Sequence, residues 1–167
     1  MFFFDEGRFG LKSTLTRIWA KRGTDVKIKK KDGYESFYVY SSVSPYSGKD
    51  FNLFLPEVNT AMMNIYLREL SKEYSDKEIM MIMDQAGWHK SKELEIPSNI
   101  KLLFLPPYSP ELNPVEKLWQ WIRIEATHNW VFDYLGQLMD AVQKAFIKLT
   151  AEKLSRLCSC SYLLSFK

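Results

Sequence analysis

Cysteine and long apolar runs are scarce in this 167-residue chain, and both scarcities exclude classes of protein. The two cysteines, Cys158 and Cys160, are one residue apart, a poor spacing for a disulfide and too few ligands for a structural zinc site. They predict a reducing, cytoplasmic compartment. No apolar run approaches the roughly 20 residues that span a bilayer. Asp5 and Glu6 follow the first phenylalanines too closely for a signal peptide.

The net charge is also small, but the basic residues are unevenly distributed along the chain. A net charge of +3 permits a nucleic-acid partner without requiring one. One stretch, residues 8 to 31, combines a single acid, Asp25, with the basic residues Arg8, Lys12, Arg17, Lys21, Arg22, Lys27, Lys29, Lys30 and Lys31. Glycines at positions 7 and 23 are typical of a loop. The stretch is therefore either a solvated loop or a contact for the DNA backbone.

The hydrophobic content is sufficient for one compact core. Of all residues, 46% are hydrophobic and 15% are aromatic, and the sequence contains no internal repeat or low-complexity segment. A chain of this length supports one such core better than two. We therefore expect residues 1–167 to form a single domain.

The first third of the chain has the pattern of an antiparallel sheet. An aromatic strand signal begins at Phe2 and ends at Asp5. The dipeptide Asp32-Gly33 predicts a hairpin turn, and two further strands are indicated by Phe37 to Ser44 and by Asp50 to Leu55. The short connections between these last strands predict antiparallel pairing.

The remainder predicts helices alternating with buried parallel strands. The run IMMIM, Ile79 to Met83, has no alternation, as is typical of a strand buried on both faces. Asp84 comes directly after it, at the carboxyl end where α/β sheets place ligands. A second buried strand is indicated by Leu102 to Leu105. Apolar periodicity predicts helices over Asn59 to Tyr74, Asn113 to about His128 and Tyr134 to about Leu149, with a short helix from Ala151.

A proline-rich crossing leads from the last strand to a helix that begins with an acid. Pro106, Pro107 and Pro110 exclude regular structure before Asn113. Asn113 is a suitable N-cap with proline at the next position, and Glu116 falls where it can reach back to the cap. Glu116 is thus either a capping acid or a functional carboxylate at the positive end of a helix.

Three segments together resemble a known family. They are FFFDEGRF at the start, MIMDQAGWHKS in the middle and PPYSPELNPVEKLW after the last strand. The sequence resembles the catalytic domain of IS630-type transposases, part of the Tc1/mariner group of DDE transposases, over nearly its whole length. This resemblance implies an α/β, ribonuclease H-like fold, with a mixed five-stranded sheet of three antiparallel and then two parallel strands flanked by helices.

The resemblance also implies a catalytic and metal-binding triad of Asp5, Asp84 and Glu116, with 31 residues between the second and the third. Glu6 is a rival for the first position, but neighbouring strand residues point to opposite faces, so only one of the two can join the site. Three carboxylates are a fitting ligand set for two Mg²⁺ or Mn²⁺ ions, which activate a nucleophile and stabilise the charge at phosphorus.

Other residues keep two interpretations each. His89 is either a functional residue, which contacts a DNA phosphate or steers the acid–base step, or a hydrogen-bonded structural histidine. Trp119, Trp121 and Trp130 either stack on bases or pack beneath the helix. Arg8, Lys12, Arg17, Lys21, Arg22, Lys27 and Lys29 are the candidate DNA-binding residues within the basic stretch.

The implied reaction is metal-dependent cleavage of double-stranded DNA at transposon ends, followed by transfer of the freed 3′-hydroxyl into target DNA. Relatives in the group insert at TA dinucleotides, and the same preference is expected here. A homodimer in a synaptic complex, associated with the bacterial nucleoid, is also expected. The chain opens on a strand and contains no helix-turn-helix, which indicates an excised domain or a separately encoded DNA-binding half. The alternatives are a non-catalytic DNA-binding remnant and a ribonuclease H-like nuclease.

Overall fold

The computed structural model of the chain describes residues 1–12, 34–128 and 130–160. Five strands and four α-helices follow one another along these residues. They are β1 (Phe2–Gly10), β2 (Ser36–Ser44), β3 (Lys49–Leu55), α1 (Thr60–Glu73), β4 (Ile79–Met83), β5 (Ile100–Phe104), α2 (Val115–Ala126), α3 (Leu135–Ile147) and α4 (Ala151–Leu157). Short 3₁₀ helices cover Gly87–Lys90 and Pro110–Leu112.

The strands form one mixed sheet in the order β3-β2-β1-β4-β5. Strands β1, β2 and β3 pair antiparallel, whereas β4 pairs parallel with both β1 and β5. The predicted arrangement of three antiparallel and two parallel strands is confirmed. Strand β1 lies at the centre of the sheet, and its phenylalanines are buried on both faces.

Alternate residues of β1 contribute to two separate cores. Phe2 and Phe4 pack with Met63 and Tyr66 of α1 on one face of the sheet. Phe3 and Phe9 lie on the other face, in a cluster with residues of α2, α3 and α4. The sheet is therefore a middle layer, with α1 on one side and the three later helices on the other. Because the side chains of a strand alternate, Asp5 lies on the same face of the sheet as Phe3, and Glu6 lies on the same face as Phe4.

Strand β1 does not end at Asp5 but continues to Gly10. Residues Phe3 to Gly10 pair continuously with Val43 to Ser36 of β2, so Gly7 and Gly10 lie in a strand instead of opening a loop. The glycines hid this extension from the sequence pattern, because glycine is depleted in strands generally. The continuous pairing with β2 overrides that local preference.

The two parallel strands are less buried than their apolar runs predict. Met80 in β4 is 47% exposed, and Leu103 in β5 is 51% exposed. Strand β5 is at the edge of the sheet, where one face carries no helix, so its apolar run does not make it a fully buried strand. The turn predicted at Asp32-Gly33 lies outside the described residues.

The predicted helices are confirmed to within a few residues. The side chain of Asn59 caps α1 by accepting a hydrogen bond from the N–H of Met62 at 2.9 Å. Thr150 caps α4 in the same way, by accepting from Lys153. Among the described residues, none of the helices combines the length and the apolar character needed to cross a membrane.

Candidate active site

The parallel pairing of β1 with β4 brings two of the predicted acids side by side. Phe3 lies opposite Ile82 in this register. Two residues further along both chains, Asp5 comes level with Asp84. Asp84 follows the last residue of β4 directly, so its carboxylate lies at the carboxyl end of the strand. Residues 79 positions apart in the sequence are thus brought together by register alone.

The third acid is brought to the same place by Asn113. Its side-chain Nδ2 donates to the carbonyl of Phe4 at 2.9 Å, which fastens the start of α2 to β1 next to Asp5. Its Oδ1 accepts from the N–H of Val115 at 3.2 Å, so Asn113 holds the first residue of α2 from just before Pro114, which takes the N-cap position. In a capping box the carboxylate of Glu116 would accept a hydrogen bond from the N–H of Asn113. That N–H donates to the carbonyl of Pro110 instead, so this interpretation of Glu116 is wrong. The Glu116 carboxylate is therefore not required by the cap.

Asp5, Asp84 and Glu116 line one open pocket of about 460 Å³. Its remaining wall consists of the proline-rich crossing and the residues after β4, namely Gln85, Ala86, Leu105, Pro106, Pro107, Tyr108, Ser109, Pro110 and Asn113. Within the described ranges, no three His, Cys, Asp or Glu side chains are already grouped closely enough to hold a metal ion.

Trp119 holds Asp5 from the helix above it. Its indole Nε1 donates to Asp5 Oδ2 at 2.9 Å, and the ring itself is 2% exposed. Burial, together with the nearby charges of Glu6 and Glu116, raises the pKa of Asp5 to about 7 despite this hydrogen bond. Trp119 follows Glu116 by three residues, so one face of α2 presents both side chains to β1. The spacing of Glu116 and Trp119 is visible in the sequence, but it does not reveal the hydrogen bond from Trp119 to Asp5.

Gly7 makes room for that indole. A Cβ atom at this position would lie 2.9 Å from the Trp119 ring. We expect Gly7→Ala to lower the free energy of unfolding by about 1–3 kcal/mol, because the ring must move and its bond to Asp5 is strained. Chemical denaturation measures the change. Gly87→Ala is the matched control, since nothing lies within 4 Å of its added Cβ, and equal effects of the two substitutions would contradict this packing.

His89 lies between two carboxylates instead of facing solvent. Its Nε2 is 2.9 Å from Glu6 Oε1, and its Nδ1 is 2.9 Å from Asp84 Oδ1. Burial alone lowers the pKa of His89, but the hydrogen bonds to Asp84 and Glu6 outweigh it and raise this pKa to about 9. The hydrogen bond from His89 also lowers the pKa of Asp84. With 2% of its surface exposed, His89 is not presented to a DNA phosphate in this structure, which favours the structural interpretation.

The basic residues are only partly within the described ranges. Arg8 and Lys12 are exposed, and they line a second pocket together with Arg123 of α2, a cation that the sequence pattern did not single out. The other candidate DNA contacts, Arg17, Lys21, Arg22, Lys27 and Lys29, lie outside the described residues. Of the tryptophans, Trp119 is buried and Trp130 is 63% exposed, whereas the ring of Trp121 lies 4.1 Å from the ammonium of Lys153.

Comparison with known proteins gives a family and two relatives. The family described as DDE superfamily endonuclease matches residues 1–139. An uncharacterised protein, y4pE/y4sA of Sinorhizobium fredii, is 44% identical over 99 residues, which cover 58% of this chain and 73% of that protein. An uncharacterised 39 kDa protein of insertion element IS630 from Shigella sonnei is 26% identical over 148 residues, which cover 86% of this chain and 43% of that protein.

Solved structures of Mos1 transposase share the fold. A pre-cleavage Mos1 transpososome matches with a TM-score of 0.73 at 18% identity, and a Mos1 mariner paired-end complex with Mn matches with 0.73 at 16%. Both matches cover 94% of this chain and 51% of the Mos1 chain, so the chain spans about half of the Mos1 polypeptide and less than half of the IS630 protein. The ribonuclease H-like fold expected from the sequence is confirmed.

Proposed function

Because this chain belongs to the DDE superfamily of endonucleases, in its IS630 and Tc1/mariner transposase branch, we propose that it is a transposase catalytic domain. Its proposed reaction is metal-dependent cleavage of DNA at transposon ends, followed by attack of the freed 3′-hydroxyl on target DNA. The single observation that carries this proposal is the meeting of Asp5, Asp84 and Glu116 in one pocket. These acids come from a central strand, the end of a parallel strand and the first turn of a helix.

The donor set fits divalent metal ions. Asp5, Asp84 and Glu116 supply hard carboxylate oxygens, the ligands that Mg²⁺ and Mn²⁺ prefer. After burial, the charges of Glu6 and Glu116 are what raise the pKa of Asp5, and a cation beside Asp5 would relieve that repulsion. Two bound ions would supply the positive charge that activates a nucleophile and stabilises the transition state at phosphorus.

The protein's own residues contribute position and a proton. Trp119 fixes one oxygen of Asp5, and Asn113 fastens the start of α2, so the spacing between Asp5 and Glu116 is set by hydrogen bonds. Asp5 holds a proton on its carboxyl group below about pH 7 and releases it when a cation takes its place. The open pocket leaves these acids accessible to a DNA phosphate.

The proposed partner is double-stranded DNA, with TA dinucleotides as targets and a homodimer as the assembled state. Mos1 transposase is known from the structures of a paired-end complex and a strand-transfer complex, which supports the same class of substrate for this chain. Exposed Arg8 and Lys12 are suited to phosphate contacts in the pocket that they line with Arg123.

The test compares two acids of the proline-rich crossing and the helix after it. Glu116→Gln is expected to reduce Mn²⁺-dependent nicking of supercoiled plasmid by about 10²–10³-fold, because one carboxylate charge is lost from the pocket. Glu111→Gln is the matched control, since Glu111 is exposed and does not line the pocket. Equal nicking by both variants would refute the role of Glu116. A precleaved oligonucleotide that joins plasmid DNA would distinguish a transposase from a nuclease.

A further inference from the structure

The Asp84 carboxylate is oriented by hydrogen bonds and not by packing. Its side chain is 59% exposed, so its neighbours do not restrict its rotamers sterically. Oδ1 accepts from the N–H of Ala86 at 3.1 Å and faces His89 Nδ1 at 2.9 Å. Among the described residues, Oδ2 has no hydrogen-bond partner. One oxygen is thus held from behind, while the other is left for the pocket.

The imidazole that holds Asp84 is itself held by Glu6. His89 Nε2 lies 2.9 Å from Glu6 Oε1, and the indole Nε1 of Trp88 donates to the same oxygen at 3.1 Å. The side chains of His89 and Glu6 are 1% and 7% exposed, and the Phe4 ring packs edge-on against the imidazole. His89 therefore has one available orientation.

Stability alone does not explain why the side chains of His89 and Glu6 are buried together. Desolvation offsets most of the attraction within a buried ion pair, and well-packed apolar residues often stabilise a core as well or better. Partners behind a metal ligand, by contrast, commonly change metal affinity by 10–100-fold, because they fix the orientation of the ligand. The geometry at Asp84 is of this second kind.

We propose that Glu6, Trp88 and His89 are positioning residues that fix the Asp84 carboxylate for divalent-cation binding. The inference rests on the proposed metal-binding role of Asp84. Strand β1 then serves both aspartates from consecutive residues, since Asp5 enters the pocket directly and Glu6 acts on Asp84 from the other face of the sheet. Glu6 thereby has a function although it does not line the pocket.

Two substitutions at position 89 separate positioning from simple support of the loop. His89→Asn places an amide N–H near the former Nδ1, so it keeps a donor to Asp84 and loses the contact with Glu6. His89→Gln places its amide N–H near the former Nε2, so it keeps the contact with Glu6 and loses Asp84. At position 6, Glu6→Gln retains an acceptor for Trp88 and His89, whereas Glu6→Ala removes it.

Mn²⁺ binding is measured by electron paramagnetic resonance, from the loss of the signal of the free ion. We expect His89→Gln and Glu6→Ala to weaken Mn²⁺ binding by about 10-fold or more, and His89→Asn and Glu6→Gln to stay within about 3-fold of the wild type. A purely structural role predicts that affinity follows stability. Tyr66→Phe shows how much a loss of stability alone changes Mn²⁺ affinity. It removes the buried hydrogen bond from the Tyr66 hydroxyl to the carbonyl of Phe51, on the same face of the sheet, and leaves the acids unchanged.

Each outcome decides the question. Weakened binding in Glu6→Ala and His89→Gln at a thermal stability no lower than that of Tyr66→Phe supports positioning. Equal Mn²⁺ affinity in His89→Asn and His89→Gln, or wild-type affinity in Glu6→Ala, overturns it, and so does a wild-type chain that binds no Mn²⁺. If Glu6→Ala fails to fold, the pair at position 89 still decides. A wild-type chain that binds Mn²⁺ but does not nick DNA contradicts the proposed function alone.

Discussion

Replacement of Asp84 by asparagine is expected to reduce Mn²⁺-dependent nicking by about 10³-fold or more, while binding to DNA stays within about 2-fold. Asparagine has the size of aspartate, and its Oδ1 can still accept from the N–H of Ala86 and from His89. Fold and surface are therefore retained. What is lost is one negative charge at the carboxyl end of β4, where the proposed reaction needs a metal ligand. DNA binding depends mainly on phosphate contacts elsewhere on the surface, so it is not affected.

Plasmid nicking and fluorescence anisotropy, at one salt concentration, measure the two effects of Asp84→Asn. Asp76→Asn is the control, because it makes the same chemical change at an exposed site in the connection between α1 and β4. Nicking at the wild-type rate by Asp84→Asn would refute the assignment of this residue. A parallel loss of DNA binding would indicate that Asp84 acts in binding and not in the chemical step.

Asp5→Asn is expected to abolish nicking and, in metal-free buffer, to stabilise the folded chain. Asp5 is half-buried beside Glu6 and Glu116, and burial raises its pKa from 3.8 to about 7. Linkage sets a ceiling of about 4 kcal/mol for the cost of ionising such a group, and partial exposure reduces our expectation to about 2 kcal/mol. Asparagine avoids this cost and can still accept the hydrogen bond from Trp119.

The stability gain from Asp5→Asn depends on pH in one direction. Below about pH 4, Asp5 is protonated in both the folded and the unfolded chain, so it contributes no difference. Between about pH 4 and pH 7 the unfolded chain loses the proton and the folded chain keeps it, so the wild type loses stability as the pH rises. Above about pH 7 the loss is complete. The advantage of the variant therefore grows from pH 4 to pH 7 and then stays level.

Thermal unfolding in EDTA measures this, and at pH 8 we expect the melting temperature of Asp5→Asn to lie roughly 4–8 °C above that of the wild type. Asp50→Asn provides a comparison at another partly buried acid on the same sheet, outside the pocket, where burial also raises the pKa. A melting temperature of Asp5→Asn below the wild-type value at pH 8 would contradict a strained carboxylate at this position. A functional site that is destabilising without its ligand is the expected result of gathering like charges.

Most of the fold was predictable because the local sequence patterns agree with the strands and helices that form. IMMIM lacks alternation and forms β4, and the capping of α1 by Asn59 was visible in the sequence. Pattern failed where position in the sheet decided the outcome. Strand β1 extends through two glycines because β2 pairs with it from Phe3 to Gly10, and β5 is half exposed because it is an edge.

The three acids that share the pocket were predictable from the sequence, but the hydrogen bonds that hold them were not. Asp5, Asp84 and Glu116 belong to recognisable segments, and the alternation of a strand separated Asp5 from Glu6. The bond from Trp119 to Asp5 spans 114 positions and the contact between Glu6 and His89 spans 83. No local pattern encodes such distances, because they depend on which strand lies beside which.

The amino-acid sequence by itself determined the elements and the chemical types at their ends: a central aromatic strand with two adjacent acids, an acid after an apolar strand, and an acid in the first turn of a proline-led helix. Tertiary structure decided which acids share a pocket and which support the others. The physical reason is that side-chain chemistry and periodicity are local properties. Proximity in space is set by the parallel register of β1 with β4 and by the anchoring of α2 to Phe4 through Asn113.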